Sequence, residues 1–93
     1  MSVTVKICGI TSEADALAAA EAGADAIGLM FYEGSPRHVT LEQAKAISAA
    51  LPPHVMRVGV FVNAEEAFVH QALTECMLNI CLLYTSDAAD EWL

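Results

Sequence analysis

Apolar and polar residues alternate along this chain in blocks whose period changes from two to about four. Short runs rich in β-branched residues, near residues 3–8, 26–31 and 55–62, have the length and composition of buried strands. Each run is followed by a longer segment in which apolar residues recur at helical spacing. The pattern predicts three strand–loop–helix units in succession.

Polar capping residues mark where each predicted helix begins. Ser12 precedes the first helix, which ends at Gly23, and Thr40 with Gln43 forms a capping box before the second. Asn63 is expected to cap the third helix in the same way. The predicted apolar stripes are Ala14, Leu17 and Ala20 on the first helix, Leu41, Ala44, Ile47 and Leu51 on the second, and Val69, Ala72, Leu73 and Cys76 on the third.

Strand, loop and capped helix in repeated order predict parallel strands joined by right-handed crossovers. The repeat of roughly 25–30 residues is the unit of a β/α barrel. The competing architecture, a doubly wound sheet that binds a nucleotide, usually carries G-x-G-x-x-G after its first strand, and the segment 8–11 does not match that motif. We therefore expect an α/β fold, a truncated TIM-type (β/α)8 barrel with three to four of its units.

Two predicted strands carry an internal glycine at an equivalent point, because the segment 27–31 echoes the segment 58–62. The two residues are Gly28 and Gly59. A glycine inside a strand often marks the close approach of a ligand or of another backbone. Narrow barrel interiors also need small residues in some layers, and the two explanations are compatible.

Composition and charge restrict the classes of partner. Twelve acidic and four basic residues give a net charge of −8, which argues against nucleic acid and against anionic membranes. No apolar run is long enough to span a bilayer, and the first residues lack the layout of a signal peptide. The three cysteines, Cys8, Cys76 and Cys81, have neither a metal-site nor a disulfide spacing. We expect a cytoplasmic protein with reduced thiols.

The first predicted strand brings one thiol to a glycine turn just before a helix. An ammonium two residues from a thiol is unusual on a buried strand, and a nearby cation favours the reactive thiolate. The alternative is that Cys8 is a small buried apolar residue. The strand period of two places Val3, Val5 and Ile7 on one face and Thr4, Lys6 and Cys8 on the other.

A second cluster of chemistry lies in the loop after the second strand, at residues 32–39. In a β/α barrel such loops open onto the catalytic face, the face to which Cys8 also leads. Arg37 offers a planar donor fork suited to a carboxylate or phosphate, although a solvated loop arginine is the ordinary alternative. His38 has no partner in view, and His54 and His70 fall in positions expected to be structural or solvated.

Four motifs in order and at family spacing resemble phosphoribosylanthranilate isomerase, an eight-stranded β/α barrel of tryptophan biosynthesis. They are Lys6-Ile-Cys-Gly-Ile-Thr11, Gly28-Leu-Met-Phe31, Ser35-Pro-Arg-His-Val39 and Val58-Gly-Val-Phe-Val-Asn63, and the resemblance covers residues 1–80. It implies an intramolecular oxidoreductase: an Amadori rearrangement of N-(5-phosphoribosyl)anthranilate to the carboxyphenylamino-deoxyribulose phosphate, without metal or cofactor. It also implies that Cys8 is the base that removes the sugar proton and that Arg37 binds the anthranilate group of this phosphorylated substrate.

The family's general acid, an aspartate at the end of strand five, and its phosphate site after strands seven and eight have no counterpart in this sequence. We therefore expect the chain itself to be inactive. The family continues along strand four to a Gln-x-His-Gly-like end, whereas residues 81–93 depart from that pattern, and we expect them to be a non-family tail of artefactual origin. The alternative is a divergent strand followed by a short helix capped by Ser86. Asp87 and Asp90 lie in this tail and are not assigned the acid role.

Two other functions remain open at this stage. One is a different phosphate-handling barrel enzyme such as indoleglycerol-phosphate synthase, against which the opening Lys6-Ile-Cys-Gly-Ile speaks. The other is a non-catalytic half-barrel that self-associates through its open strand edges, since unpaired edges invite pairing.

Overall fold

The computed structural model describes residues 4–85, which alternate strictly between strand and helix. All four strands are parallel and lie side by side in the order of the chain. None of the described helices is long and apolar enough to cross a membrane. The strands are β1 (Lys6–Cys8), β2 (Ala26–Met30), β3 (Met56–Val62) and β4 (Ile80–Tyr84), and the helices are α1 (Glu13–Glu21), α2 (Leu41–Ala50) and α3 (Glu66–Glu75).

The strand register sorts the side chains between two faces of the sheet. Cys8 pairs with Gly28, Gly28 with Val58, and Val58 with Ile80, so these four residues share one face. Gly59 lies one position further along β3, opposite Leu29, and therefore belongs to the other face. The interpretation of Gly28 and Gly59 as equivalent was wrong, because adjacent strands place them on opposite sides of the sheet.

The core lies between the sheet and the helices. Phe31 and Phe61 stack with ring centroids 4.9 Å apart, and Phe68 of α3 meets both rings edge-on at 6.0 Å. The side chains of Ile27 and Leu29 are fully buried on the same face. These contacts hold α3 against the middle of the sheet and leave the opposite face open at its carboxyl ends.

Two of the three predicted caps are present. The Ser12 hydroxyl accepts from the Asp15 N–H at 3.1 Å, and Thr40 and Gln43 exchange both bonds of a capping box. The prediction for Asn63 was wrong: α3 begins at Glu66 with Glu65 as a cap that makes no side-chain bond. Asn63 has a φ of 53° and donates its N–H to the Tyr84 carbonyl, so its backbone extends the pairing with β4 and is not in the extended conformation of an N-cap.

The predicted apolar stripes match the buried faces best on helices whose apolar and polar side chains differ most. On α2, Ala44, Ile47 and Leu51 of the predicted stripe are buried, and Leu41 is partly buried against the core. On α3, Ala72 and Cys76 are buried, but Leu73 is 37% exposed. On α1 the prediction was wrong for Ala14 and Leu17, which are exposed, Leu17 to 42%. Ala16 and Ala19 face the core instead, and the third predicted residue, Ala20, is partly buried against it. A helix that is alanine on almost every side has too little apolar contrast to mark its buried face.

A buried cation, which the sequence patterns did not single out, closes the amino end of the sheet. The Arg57 guanidinium donates to the carbonyls of Ser48, Leu51, Pro52 and Val55 and to the Ser48 hydroxyl, at 2.6–3.1 Å. These carbonyls lie at and beyond the end of α2, where the helix dipole favours positive charge. Burial lowers the pKa of Arg57 from its usual value. The arginine thus ties α2 to β3.

The outer strand β4 leaves apolar side chains exposed, which predicts self-association of this chain. Leu83 on β4 is 64% exposed and Ile80 is 40% exposed, and β4 has no neighbour beyond β3 among residues 4–85.

We expect dimers or larger species in sedimentation velocity, and Leu83→Lys should shift them towards monomer because an edge lysine opposes strand pairing. Leu17→Lys is the control, because it replaces an exposed leucine that lies on helix α1 and not on an edge strand. A wild-type chain that stays monomeric and unfolds sharply would contradict the prediction.

Candidate active site

A cavity of about 300 Å³ opens at the carboxyl ends of the strands, on the face away from the helices. All four strands contribute to it: β1 with the turn that follows it, the end of β2 with its loop, and the ends of β3 and β4. The cavity is lined by Lys6, Cys8, Gly9, Met30, Ser35, Arg37, Val60, Leu82 and Tyr84. The two residues singled out from the sequence, Cys8 and Arg37, therefore line one cavity.

The position of Cys8 depends on its neighbour Gly28. A β-carbon on Gly28 would lie 2.8 Å from the Cys8 sulfur, closer than real β-carbons approach another atom, and 3.3 Å from the Cys8 α-carbon, which is a tight contact. The glycine gives the thiol room to lie over β2, and Cys8 is exposed to the cavity. The prediction that a glycine within a strand marks a close approach is confirmed at this position.

The turn after β1 is fastened to the end of β2. The N–H groups of Gly9 and Ile10 both donate to the Gly28 carbonyl, at 3.2 and 3.4 Å. Gly9 has a φ of +80°, in the left-handed region that favours glycine. The chain therefore leaves the strand immediately after Cys8, and the thiol sits at the rim of the sheet.

The Arg37 loop is fastened to the same strand by its own hydrogen bonds. The Val39 N–H donates to the Met30 carbonyl at 2.9 Å, and the Arg37 N–H donates to the Ser35 hydroxyl at 3.1 Å. The His38 N–H donates to the Ser35 carbonyl at 3.1 Å. The arginine is exposed, and no carboxylate of residues 4–85 forms an ion pair with it.

The charge of the cavity suits a negatively charged ligand. Among residues 4–85, its lining contains two cations, Lys6 and Arg37, and no carboxylate. Val60, Leu82 and Met30 add apolar surface between them. An ionised donor paired with a carboxylate or phosphate makes the stronger class of hydrogen bond. A flat apolar molecule with an anionic group would match this lining.

The other candidates lie elsewhere. His38 lines a separate cavity between the β2–α2 and β3–α3 loops, His54 is exposed, and His70 lies 3.7 Å from Glu66 on the surface of α3. Burial raises the pKa of Cys76, and also that of Cys81. A raised pKa disfavours the thiolate of these two residues. Within residues 4–85 no group of three histidine, cysteine or acidic side chains could hold a metal ion.

Leu82 and Tyr84 are cavity residues that the sequence reasoning missed. Both lie on β4, in register with Val60 and Val62. In a strand, residues two apart share a face, so a strand through residues 80–84 would have predicted that Leu82 and Tyr84 lie together. The sequence analysis instead assigns residues 81–93 to a tail. Its first residues form β4. The helix expected after Ser86, together with Asp87 and Asp90, lies outside the described residues, as does Val3.

Comparison with known proteins gives a consistent family. A family model described as N-(5'-phosphoribosyl)anthranilate isomerase matches residues 5–93. The enzyme of that name from Geobacter sulfurreducens is 57% identical over 82 residues, which is 88% of this chain and 40% of the relative. The crystal structure of the Thermotoga maritima phosphoribosyl anthranilate isomerase superposes with a TM-score of 0.87 at 45% identity, over 96% of this chain and 43% of that one.

A second solved phosphoribosyl anthranilate isomerase, with the same TM-score and identity, is in complex with reduced 1-(o-carboxyphenylamino)-1-deoxyribulose 5-phosphate. This chain covers 46% of that protein and is itself covered to 96%. The chain thus spans about two fifths to a half of the length of the relatives it matches. The four parallel strands agree with the predicted part of a (β/α)8 barrel. The chain belongs to the N-(5'-phosphoribosyl)anthranilate isomerase family.

Proposed function

We propose that this chain carries the anthranilate-binding part of an isomerase site that acts on N-(5'-phosphoribosyl)anthranilate in tryptophan biosynthesis. The observation that supports this function most directly is the shared cavity of Cys8 and Arg37, at the carboxyl ends of neighbouring strands. In β/α barrels that face carries the active site. The exposure of both side chains leaves them accessible to a substrate.

Cys8 is proposed as the general base of the Amadori rearrangement. Once the ribose ring has opened to an iminium ion, the carbon next to the iminium carbon becomes acidic. The thiolate removes its proton, and the resulting enolamine tautomerises to the ketone. A thiol suits this role because modest activation makes it a base near neutral pH. Its place at the rim of the sheet, with Gly28 beneath it, lets a substrate carbon approach the sulfur.

Arg37 is proposed to bind the anthranilate end of the substrate. Its guanidinium can donate two parallel hydrogen bonds to the carboxylate and can stack on the aromatic ring. The apolar lining from Met30 and Val60 offers a surface for the same ring. Without a carboxylate partner in residues 4–85, the arginine is available for this contact.

The general acid and the phosphate-binding loops of the family are proposed to be supplied by segments outside this sequence. The chain covers 40% of the length of the Geobacter relative. We propose that the reaction needs neither metal nor cofactor, that the protein works in the cytoplasm, and that nucleic acid and membranes are not its partners. We also propose that residues 81–93 do not belong to the native gene. The genomic reading frame past codon 80 tests that division directly.

The kinetic test uses a complete protein in which residues 1–80 continue into the rest of the family barrel. Cys8→Ala should lower kcat by about a hundredfold or more with little change in KM, because a base acts in the transition state. Arg37→Ala should raise KM at least as strongly as it lowers kcat, because the arginine is proposed to bind the substrate in its ground state as well as in the transition state. Anthranilate-substrate fluorescence follows both reactions. Equal kinetic profiles for the two variants would contradict the assigned roles.

The 93-residue chain alone should show no isomerase activity in the same assay. Removal of a general acid or of an electrostatic partner typically costs about a hundredfold or more in rate, and here both are missing. The substrate should disappear only at its spontaneous rate, even at high protein concentration. A faster decay that Cys8→Ser abolishes would show that three β/α units and a fourth strand suffice for catalysis.

A further inference from the structure

We propose that Gly9 is a positioning residue, which holds the Arg37 side chain across the β1–α1 turn and so directs the guanidinium to the cavity over Cys8. The inference rests on the proposed role of Arg37. It adds a contact that fixes where that cation lies relative to the thiol.

The arginine stem lies directly on the glycine backbone. A β-carbon on Gly9 would collide with the Arg37 Cδ atom and would lie 3.1 Å from Nε and 3.5 Å from Cγ. A side chain at this position would therefore force the arginine to move. Any residue other than glycine would also be strained by the φ of +80°.

Both partners of this contact are anchored to one strand. The Gly9 N–H donates a hydrogen bond to the Gly28 carbonyl. The Arg37 loop is held by the hydrogen bond that the Val39 N–H donates to the Met30 carbonyl. Gly28 and Met30 are two residues apart at the end of β2. The backbones of Gly9 and Arg37 are therefore held at a fixed distance from each other.

Shape, and not an ion pair, sets the direction of this cation. No carboxylate of the described chain pairs with Arg37, and the contact with Gly9 restrains its stem. This arrangement orients the guanidinium without neutralising it. A ligand anion then meets a charge that is already in place, which reduces the entropy lost on binding.

The test measures how strongly Cys8 prefers an anionic alkylating reagent. Rates with iodoacetate and with neutral iodoacetamide are compared in the full 93-residue chain, in a Cys81→Ser background. Arg37→Ala should lower the iodoacetate-to-iodoacetamide ratio by roughly threefold, the size expected for one charge several ångströms away in water. Gly9→Ala should lower the ratio by a similar factor although Arg37 is still present. In the double variant the ratio should fall no further.

Gly23→Ala is the matched control. Gly23 also has a positive φ, of +99°, but a β-carbon there would meet nothing within 4 Å. Its substitution imposes similar backbone strain without touching the arginine, so the ratio should stay at the wild-type value.

Urea unfolding keeps the proposal testable if Gly9→Ala folds poorly. Part of its loss of stability should come from the collision, so adding Arg37→Ala should restore part of the lost stability. The proposal is overturned if Gly9→Ala keeps the wild-type ratio, or if it destabilises both backgrounds equally. Failure of the kinetic test at Cys8 would instead refute the proposed function and leave this contact standing.

Discussion

The site depends on the register between β1 and β2, in which Cys8 lies beside a residue without a side chain. A slip of one position would turn the thiol to the helix face and replace Gly28 by a bulky neighbour. The same register brings the Gly28 carbonyl within reach of the two N–H groups of the turn after β1. Strand pairing therefore places the thiol, and the turn bonds keep it at the rim.

The two ends of the sheet hold positive charge by different means. At the amino end Arg57 is buried, and carbonyls at the end of α2 satisfy its donors. At the carboxyl end Arg37 is exposed and is oriented by contact with the Gly9 backbone. Only the second arginine retains donors for a ligand. This difference between a structural arginine and one proposed to bind substrate follows from their partners and not from residue type.

The periodicity of apolar residues and the helix-capping residues predicted most of the fold. The strands, α2 with its capping box, and the face shared by Lys6 and Cys8 all follow from local sequence patterns. The side of α1 could not be predicted, because alanine gives no contrast between faces. Asn63 misled the prediction since asparagine serves both as a helix cap and in the left-handed turn that it adopts here.

The site was predicted in part. Cys8 and Arg37 could be named from motifs, and parallel strands implied that their carboxyl ends meet at one edge. The contribution of β4 could not be predicted once its residues were regarded as a tail. Arg57 was missed because nothing local distinguishes an arginine that is buried by carbonyls from a solvated one. Long-range contacts decide these two cases, and they have no periodic signature.

The central claim is that this chain holds the anthranilate end of the site and not its phosphate end. The most direct measurement is protection of Cys8 from iodoacetamide by anthranilate or by inorganic phosphate, in the wild-type chain and in Arg37→Ala. The account predicts that anthranilate slows alkylation of the wild-type chain, that Arg37→Ala removes most of this protection, and that phosphate protects far less. Protection by phosphate alone, or anthranilate protection that is unchanged in Arg37→Ala, would contradict it.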